Sequence, residues 1–317
     1  VKIYHRIEDF KPVKNAIVTT GTFDGVHLGH QAILKRMVEE ARQVGGETVV
    51  ITFHPHPRIV LHIDSSNLKF ISTQKRKIER LEAVGIDNLI IIEFTKAFSR
   101  TTSESFIKDF IVDPIKPYKL VVGYDHHFGK NRIGDFKLLY ELGQKFDFKV
   151  ERLPAQDIEN IAVSSTKIRK ALEVGDVAKA NKLLGYPYSI CGKVVRGNQV
   201  GRKIGFPTAN IESPGEYKLI TAGGVYACRV VHKGILYDGM GNIGVRPTVA
   251  DGELTIEVNI FDFDQEIYGE EITILFIDRI RDEQKFAGLE ELKAQLRKDK
   301  EKVKKILQEH IALPSDQ

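Results

Sequence analysis

Two cysteines among 317 residues leave this chain without a disulfide framework, and neither Cys191 nor Cys228 stands at metal-ligand spacing from the other. That scarcity points to a reducing, cytoplasmic setting. Long apolar runs are missing too. None reaches the roughly 18 residues that a membrane span needs, and the opening VKIYHRIEDF lacks the continuous apolar stretch of a signal peptide. The chain reads as soluble and unexported, with no membrane partner. An excess of one charge is also absent: 47 Lys and Arg against 43 Asp and Glu give a net charge of +4. That is too mild for nucleic-acid binding by charge alone and suits small anionic ligands equally well. No GxxxxGK[ST] occurs, so an ATP site here is not a P-loop.

Enough is present for two folded units. The length allows about two domains of ~150 residues, and 42% hydrophobic residues can build a core in each. Up to about residue 185, β-branched runs (AIVTT, ETVVITF, NLIIIEF, YKLVVGY, FKVERL) alternate with amphipathic ones (QAILKRMVEEARQ, TQKRKIERLEAVG, SESFIKDFIV, DFKLLYELGQKF). That rhythm predicts an α/β domain with a parallel sheet wrapped by helices, whose ligands sit beyond the carboxyl ends of the strands. Around LLGYPYSICGKVV the rhythm changes to glycine-punctuated strands, placing the boundary near Gly185 and the domains at 1–185 and 186–317. GVYACRVV and GILYDGMG read as a hairpin, and with LTIEVNIFDF and EEITILFI they suggest a small barrel or sandwich. At the end, Phe286, Leu289, Leu292, Leu296, Val303 and Leu307 form the apolar face of an amphipathic helix whose basic side reads as solvated.

The stretch GTFDGVHLGH, Gly21 to His30, follows the first strong strand and precedes a helix. Strand, glycine-rich turn and helix together aim backbone N–H groups and the positive end of a helix dipole at a pocket that suits phosphate. His27 and His30 lie one turn apart and can reach that pocket. With no third ligand beside them, charge stabilisation at phosphorus fits better than metal binding. GTFDGVHLGH resembles the HxGH signature of the adenylyltransferase and cytidylyltransferase superfamily. The resemblance implies that the histidines hold nucleotide phosphates and stabilise charge at the α-phosphorus during in-line displacement of pyrophosphate. Gly21, Phe23, Asp24 and Gly29 would complete the nucleotide site, with Asp24 holding either Mg²⁺ or a ribose.

Three further stretches resemble a narrower family, the prokaryotic bifunctional riboflavin kinase and FAD synthetase. TFHPHP, Thr52 to Pro57, would line the flavin and phosphate side of the pocket. VVGYDHHFG supplies Asp125 for the nucleotide or flavin, with His126 where the family often has an aromatic residue. In SSTKIR, Ser164 or Ser165 can cap a helix. Exposed N–H groups there, with Thr166, Lys167 and Arg169, would grip the β- and γ-phosphates.

The second half carries GKVVRGNQVGRKIGFPTANI, whose Gly192, Gly197, Gly201 and Gly205 allow the backbone to wrap closely around a ligand. In PTAN, the Thr208 hydroxyl and the Asn210 carboxamide share a face if the segment is extended, and hard oxygens suit Mg²⁺. In LTIEVNIF the alternation places Ile256, Val258 and Ile260 on one face and Glu257 and Asn259 on the other. GFPTANI with IEVNIFDFD resembles the riboflavin kinase module. That implies a six-stranded β-barrel with a C-terminal helix, Thr208 and Asn210 on Mg²⁺ATP, and Glu257 as general base for the ribityl 5′-hydroxyl. Gly192, Lys193, the four glycines' loop and Pro207 would line its flavin and nucleotide site, and Arg281, Lys285 and Phe286 would close over the flavin. Many family members carry histidine at the position of Asn259. NIGVRPT also matches, with Arg246 an anchoring residue.

The expected enzyme therefore phosphorylates riboflavin to FMN and adenylylates FMN to FAD, with Mg²⁺ as cofactor, ATP, riboflavin and FMN as substrates and no homo-oligomer predicted. Two rivals are weaker. A different nucleotidyltransferase fused to an unrelated barrel leaves GFPTANI and Glu257 without a use. A non-catalytic RNA-binding protein predicts a basic, aromatic strand face, which the barrel strands lack.

Overall fold

The computed structural model describes residues 1–62, 68–124, 126–155, 157–158, 161–197, 200–246 and 253–310. The chain divides into two compact units, Val1–Ser164 and Ser165–Gln317. The helical pair at the start of the second unit lies N-terminal to the boundary drawn from the sequence.

The first unit contains β1 (Lys2–Tyr4), β2 (Ala16–Thr20), α1 (Leu28–Val44), β3 (Thr48–His54), α2 (Pro57–Val60), α3 (Gln74–Val84), β4 (Asn88–Glu93), α4 (Ser103–Ile107), α5 (Asp113–Ile115), β5 (Pro117–Gly123), α6 (Phe136–Phe146), β6 (Lys149–Leu153) and a short hairpin, β7 (Asp157–Ile158) and β8 (Ile161–Ala162). Six strands pair in parallel in the order β1-β4-β3-β2-β5-β6. Side chains alternate across such a sheet. Ile17, Val50, Leu89 and Val121 therefore pack with Leu34, Met37 and Leu81 of α1 and α3. Their neighbours Val18, Ile51, Ile90 and Val122 pack on the other face with Phe106, Ile111 and Leu139. Both faces are covered, which is why these strands read as unbroken apolar runs. Edge strand β1 was not visible in the sequence: its three residues are too few to show a period.

From β2 the chain runs outward to β3 on one side, and it later returns to lay β5 on the other. The crevice of this open sheet thus lies between the carboxyl ends of β2 and β5.

The second unit opens with α7 (Ser165–Glu173) and α8 (Val177–Leu184). The Leu172 carbonyl accepts from Thr221 Oγ1 at 2.8 Å and from the Ala222 N–H at 3.1 Å, tying α7 to the residues that follow. Then come β9 (Tyr188–Val195), α9 (Val200–Lys203), β10 (Ala209–Ile211), β11 (Gly224–His232), β12 (Ile235–Arg246), β13 (Glu253–Ile260), β14 (Glu271–Arg281) and α10 (Leu289–Glu309). The six strands close as an antiparallel barrel, β10-β13-β12-β11-β14-β9. The expected hairpin turns on Lys233 and Gly234, both at positive φ, which matches the twist of the strands it joins. Tyr188, Tyr226 and Phe276 are fully buried in the barrel unit. Both cysteines are free, and burial pushes the Cys228 thiol pKa up.

The terminal helix corrects the apolar face read from the sequence. Phe286 precedes α10, and Leu289 is 52% exposed, while Val303 and Leu307 pack on the barrel. The buried stripe also contains a charge, Asp299, whose Oδ2 takes Arg281 Nε at 2.9 Å and Nη2 at 2.7 Å. Apolar periodicity cannot reveal a helix carboxylate buried against a cation from a strand.

In the first unit, Glu151 of β6 accepts from Arg36 Nε at 2.8 Å and from Lys119 Nζ at 3.0 Å. The Arg36 hydrogen bond, helped by Lys119, holds the Glu151 carboxyl below its usual range. A depressed carboxylate contributes stability above its unfolded value, about 4.3, and loses that contribution as pH falls through the folded value. Glu151→Gln should therefore melt below the wild type at pH 7, with the gap closing below about pH 4. Thermal melts from pH 7 to pH 3 measure it; a gap independent of pH would show that the carboxylate charge contributes nothing.

Candidate active sites

In the first unit the chain leaves β2 and passes through Phe23, Gly25 and Val26, all at positive φ. This contorted path carries it to the start of α1 within a few residues. At Gly25 a Cβ would lie 3.1 Å from the Ile71 side chain, so glycine answers both the conformation and the space there. His27 is the N-cap of α1: its Nδ1 accepts from the His30 N–H at 3.3 Å, doing with imidazole what Ser or Asp usually does. That bond leaves the proton of a neutral His27 on Nε2. The rings of His27 and His30 stack at 3.7 Å, and Phe23 meets His30 edge-on at 5.1 Å. His27 is buried, and His30 is partly exposed with its Nδ1 enclosed and without a hydrogen-bond partner among the described residues. Burial holds His30 well below the usual imidazole range, and the charges of His27 and Lys77 push the same way.

The structure thus brings Gly21, Phe23, Asp24, His27, Gly29 and His30 into one loop at the sheet's crevice. Asp24 is buried and turned toward the chain itself, its carboxylate accepting from the N–H groups of Ile71 and Ser72, both at 3.1 Å. Ser72 Oγ in turn accepts from the Gly25 N–H at 3.0 Å. At the end of β3, His56 caps α2 through its Nδ1 and lies 4.3 Å from the Phe70 ring, while His54 is exposed. Asp125 lies outside the described residues. Its neighbour His126 stacks on Phe128 at 5.8 Å, as an aromatic residue would. Ser164 immediately precedes α7, where Ser165, Thr166 and Arg169 stand as part of the second unit.

Sequence reading missed two groups beside the loop. Lys77 of α3 is 7% exposed, and its Nζ donates to the Thr22 carbonyl at 3.1 Å and to Thr52 Oγ1 at 3.3 Å. Within an amphipathic helix it reads as one more charge on the solvated side. The second is an aromatic cluster at the carboxyl ends of β3 and β4, where Phe53, Phe94 and Phe98 meet at 5.4–5.9 Å. These phenylalanines are partly exposed, and no single segment of the sequence contains them all.

In the barrel, β10 pairs with β13 so that Asn210 stands opposite Glu257, and Thr208 Oγ1 donates to Glu257 Oε2 at 3.3 Å. Ile256 and Val258 are buried, as the alternation predicts. Asn259 is buried as well, donating through Nδ2 to the Pro207 carbonyl at 2.6 Å. It thereby fastens the PTAN segment beside Thr208. Gly197 has its own reason to be glycine: a Cβ there would lie 2.3 Å from the Asn210 carboxamide. The same holds at Gly201, where a Cβ would meet the Phe206 carbonyl at 2.2 Å. These two glycines let the loop close on the PTAN segment itself. Gly192 and Lys193 lie on β9, and Gly205 precedes the PTAN turn at positive φ. Arg281 ends β14, is held by Asp299, and has its guanidinium 5.9 Å from the Phe286 ring. Asn242 to Arg246 of NIGVRPT belong to β12, and Pro247 and Thr248 lie outside the described residues.

Comparison with known proteins identifies the family of both halves of the chain. Residues 10–167 match the family model described as FAD synthetase, and residues 184–307 match that described as riboflavin kinase. The bifunctional riboflavin kinase/FMN adenylyltransferase of Listeria monocytogenes is 40% identical over 290 residues, covering 90% of this chain and 91% of the relative. That of Bacillus subtilis is 39% identical over 291 residues, covering 90% of each. A crystal structure named as a macrolide-efflux protein from Streptococcus pneumoniae superposes with a TM-score of 0.87 at 33% identity, covering 95% of this chain and 98% of that one. Among the described residues of this chain, no helix is long and apolar enough to cross a membrane. With one unit presenting the stacked histidines at its sheet crevice and the other gathering Thr208, Asn210 and Glu257, the chain belongs to the bifunctional riboflavin kinase/FMN adenylyltransferase family, which makes FAD from riboflavin in two steps.

Proposed function

We propose that the two reactions use the two sites just described, with residues 1–185 serving adenylyl transfer and 186–317 serving phosphorylation. The observation that carries the kinase assignment is the Thr208–Glu257 hydrogen bond beside Asn210. A carboxylate already within reach of one hydroxyl can accept the proton of another, the ribityl 5′-hydroxyl, as that oxygen attacks the γ-phosphorus. Hydroxyl, carboxamide and carboxylate oxygens are donors that suit Mg²⁺, so Thr208 and Asn210 would hold the ion with the nucleotide. When bound, Mg²⁺ offsets charge on the phosphate oxygens; Asn259 keeps Thr208 in place by fastening Pro207. Arg281 and Phe286, anchored through Asp299, stand on the segment assigned to cover the flavin.

For adenylyl transfer the reading rests on His27 and His30, stacked at the N-terminus of α1. Their N–H groups and the helix dipole favour an anion at the same spot, which is the positioning and charge stabilisation that this transfer requires. FMN phosphate attacks the α-phosphorus and pyrophosphate leaves, with no covalent enzyme intermediate. The partly exposed Phe53, Phe94 and Phe98 offer an apolar surface for the isoalloxazine ring. Free cysteines and small-molecule substrates support a cytoplasmic enzyme with no nucleic-acid partner.

Glu257→Gln should lower FMN formation by at least about 10²-fold while FAD formation from supplied FMN stays near wild type. Chromatography of flavins from parallel incubations with riboflavin and with FMN reads both steps, and loss of both would sink the two-site model. His30→Ala should do the reverse, lowering FAD formation about 10²–10³-fold and sparing FMN formation. An unchanged adenylylation rate would remove His30 from the mechanism.

A further inference from the structure

Lys77 is a buried ammonium without a counter-ion in contact. It is 7% exposed, yet both its hydrogen-bond acceptors, the Thr22 carbonyl and Thr52 Oγ1, are neutral. Among the described residues no carboxylate stands within ion-pair distance of it, and one of its three N–H groups has no acceptor. Burying an unpaired charge is among the costliest choices a core can make. Burial pushes Lys77 down to about 8, partly opposed by the Asp24 charge, and Asp24 itself is engaged with the Ile71 and Ser72 N–H groups.

A neutral donor such as a glutamine could tie down the Thr22 carbonyl at smaller cost, so the fastening alone does not explain an ammonium. The surroundings supply what is missing. Thr22 lies in the loop that carries His27 and His30, and the Lys77 charge acts on His30. Two further nitrogens are enclosed without partners among the described residues: His30 Nδ1, which donates or accepts according to the ring's tautomer, and the amide Nε2 of Gln74, one turn before Lys77 on α3. An unpaired cation that fastens this loop, with unpartnered polar nitrogens on the loop and on α3, is what a site for a polyanion holds before the polyanion arrives.

We propose that Lys77 is a positioning residue for adenylyl transfer: from α3 it fastens the Thr22 carbonyl, fixing the loop that presents His27 and His30, and lays a buried positive charge behind those imidazoles for the incoming triphosphate. The proposal rests on the assignment of adenylyl transfer to this loop. In the free enzyme burial holds the His30 pKa low and the Lys77 charge adds to that effect, so the ring's protonation would respond to bound phosphates.

The test compares Lys77→Gln, Lys77→Met and Lys77→Arg in the full-length chain, measuring kcat and KM for ATP in FAD formation from FMN. Riboflavin phosphorylation by the same samples serves as the internal control, and NMR titration follows the His30 ring in the absence of substrate. Lys77→Gln, which can still donate to Thr22, and Lys77→Met should each lower kcat at least tenfold and raise the His30 midpoint. Lys77→Arg should recover most of the rate and leave that midpoint near wild type, while phosphorylation stays within twofold throughout. If Lys77→Met does not fold, the Gln and Arg pair decides. A wild-type adenylylation rate in Lys77→Gln, or an unmoved His30 midpoint there, would overturn the role of the charge. A wild-type rate in His30→Ala would instead overturn the assignment of the loop, so the two failures are distinguishable.

Discussion

The HxGH loop depends on how the chain is held as it leaves β2. Within a few residues the backbone passes three positions of left-handed conformation, a path that local preferences oppose. Three fastenings hold it there. Lys77 takes the Thr22 carbonyl, Asp24 takes the N–H groups of Ile71 and Ser72, and His27 takes the His30 N–H as the cap of α1. Two of the three reach to α3 or to the segment just before it, so a helix that presents no residue of the HxGH signature sets where that signature points. The loop is therefore held from several directions, the preorganisation that the proposed charge stabilisation at phosphorus would use.

The barrel solves the same problem with different means. Here the PTAN segment must be held against a strand that carries a carboxylate, and strand pairing does most of the work. The β10–β13 register sets Asn210 across from Glu257, and Asn259, two residues along the same face, takes the Pro207 carbonyl. Gly197 and Gly201 then let the preceding backbone approach closely, because a side chain at Gly197 would collide with Asn210 and one at Gly201 with Phe206, just before this segment. At the far end of β14 the buried Arg281–Asp299 pair ties the barrel to its terminal helix. Breaking such a pair leaves a lone buried charge, so it anchors the segment around Phe286 more firmly than an exposed ion pair would.

The parts of this protein that were legible in its sequence are those that local repetition or fixed spacing encodes. The five runs of the first unit became β2 to β6; those inside the sheet are largely apolar because both faces are covered, and edge strand β6 keeps charged residues. HxGH, PTAN and Glu257 could be singled out because each lies within ten residues of chain or on one strand face. The rest depends on residues brought together from distant segments. Strand β1 is too short for a period, and barrel closure through the β9–β10 pairing leaves no mark in either strand alone. Asp299 and Lys77 look like solvent-facing charges on amphipathic helices until Arg281 and Thr22 are placed beside them. Phe53, Phe94 and Phe98 become a cluster only when β3 and β4 pair.

Electrostatics follows the same division. A His30 whose pKa is held low, mainly by burial and also by the Lys77 charge, suits an anion: a second positive charge is disfavoured in the empty site, and a bound phosphate would lift the imidazole pKa. Had both groups been charged and buried together before substrate arrived, their repulsion would have weighed directly on folding of the loop. Placing the permanent charge on the fixed helix and the titratable one on the loop lets the site hold positive potential at modest cost. Glu257, by contrast, accepts from the Thr208 hydroxyl, an arrangement that suits the proton-accepting role proposed for it.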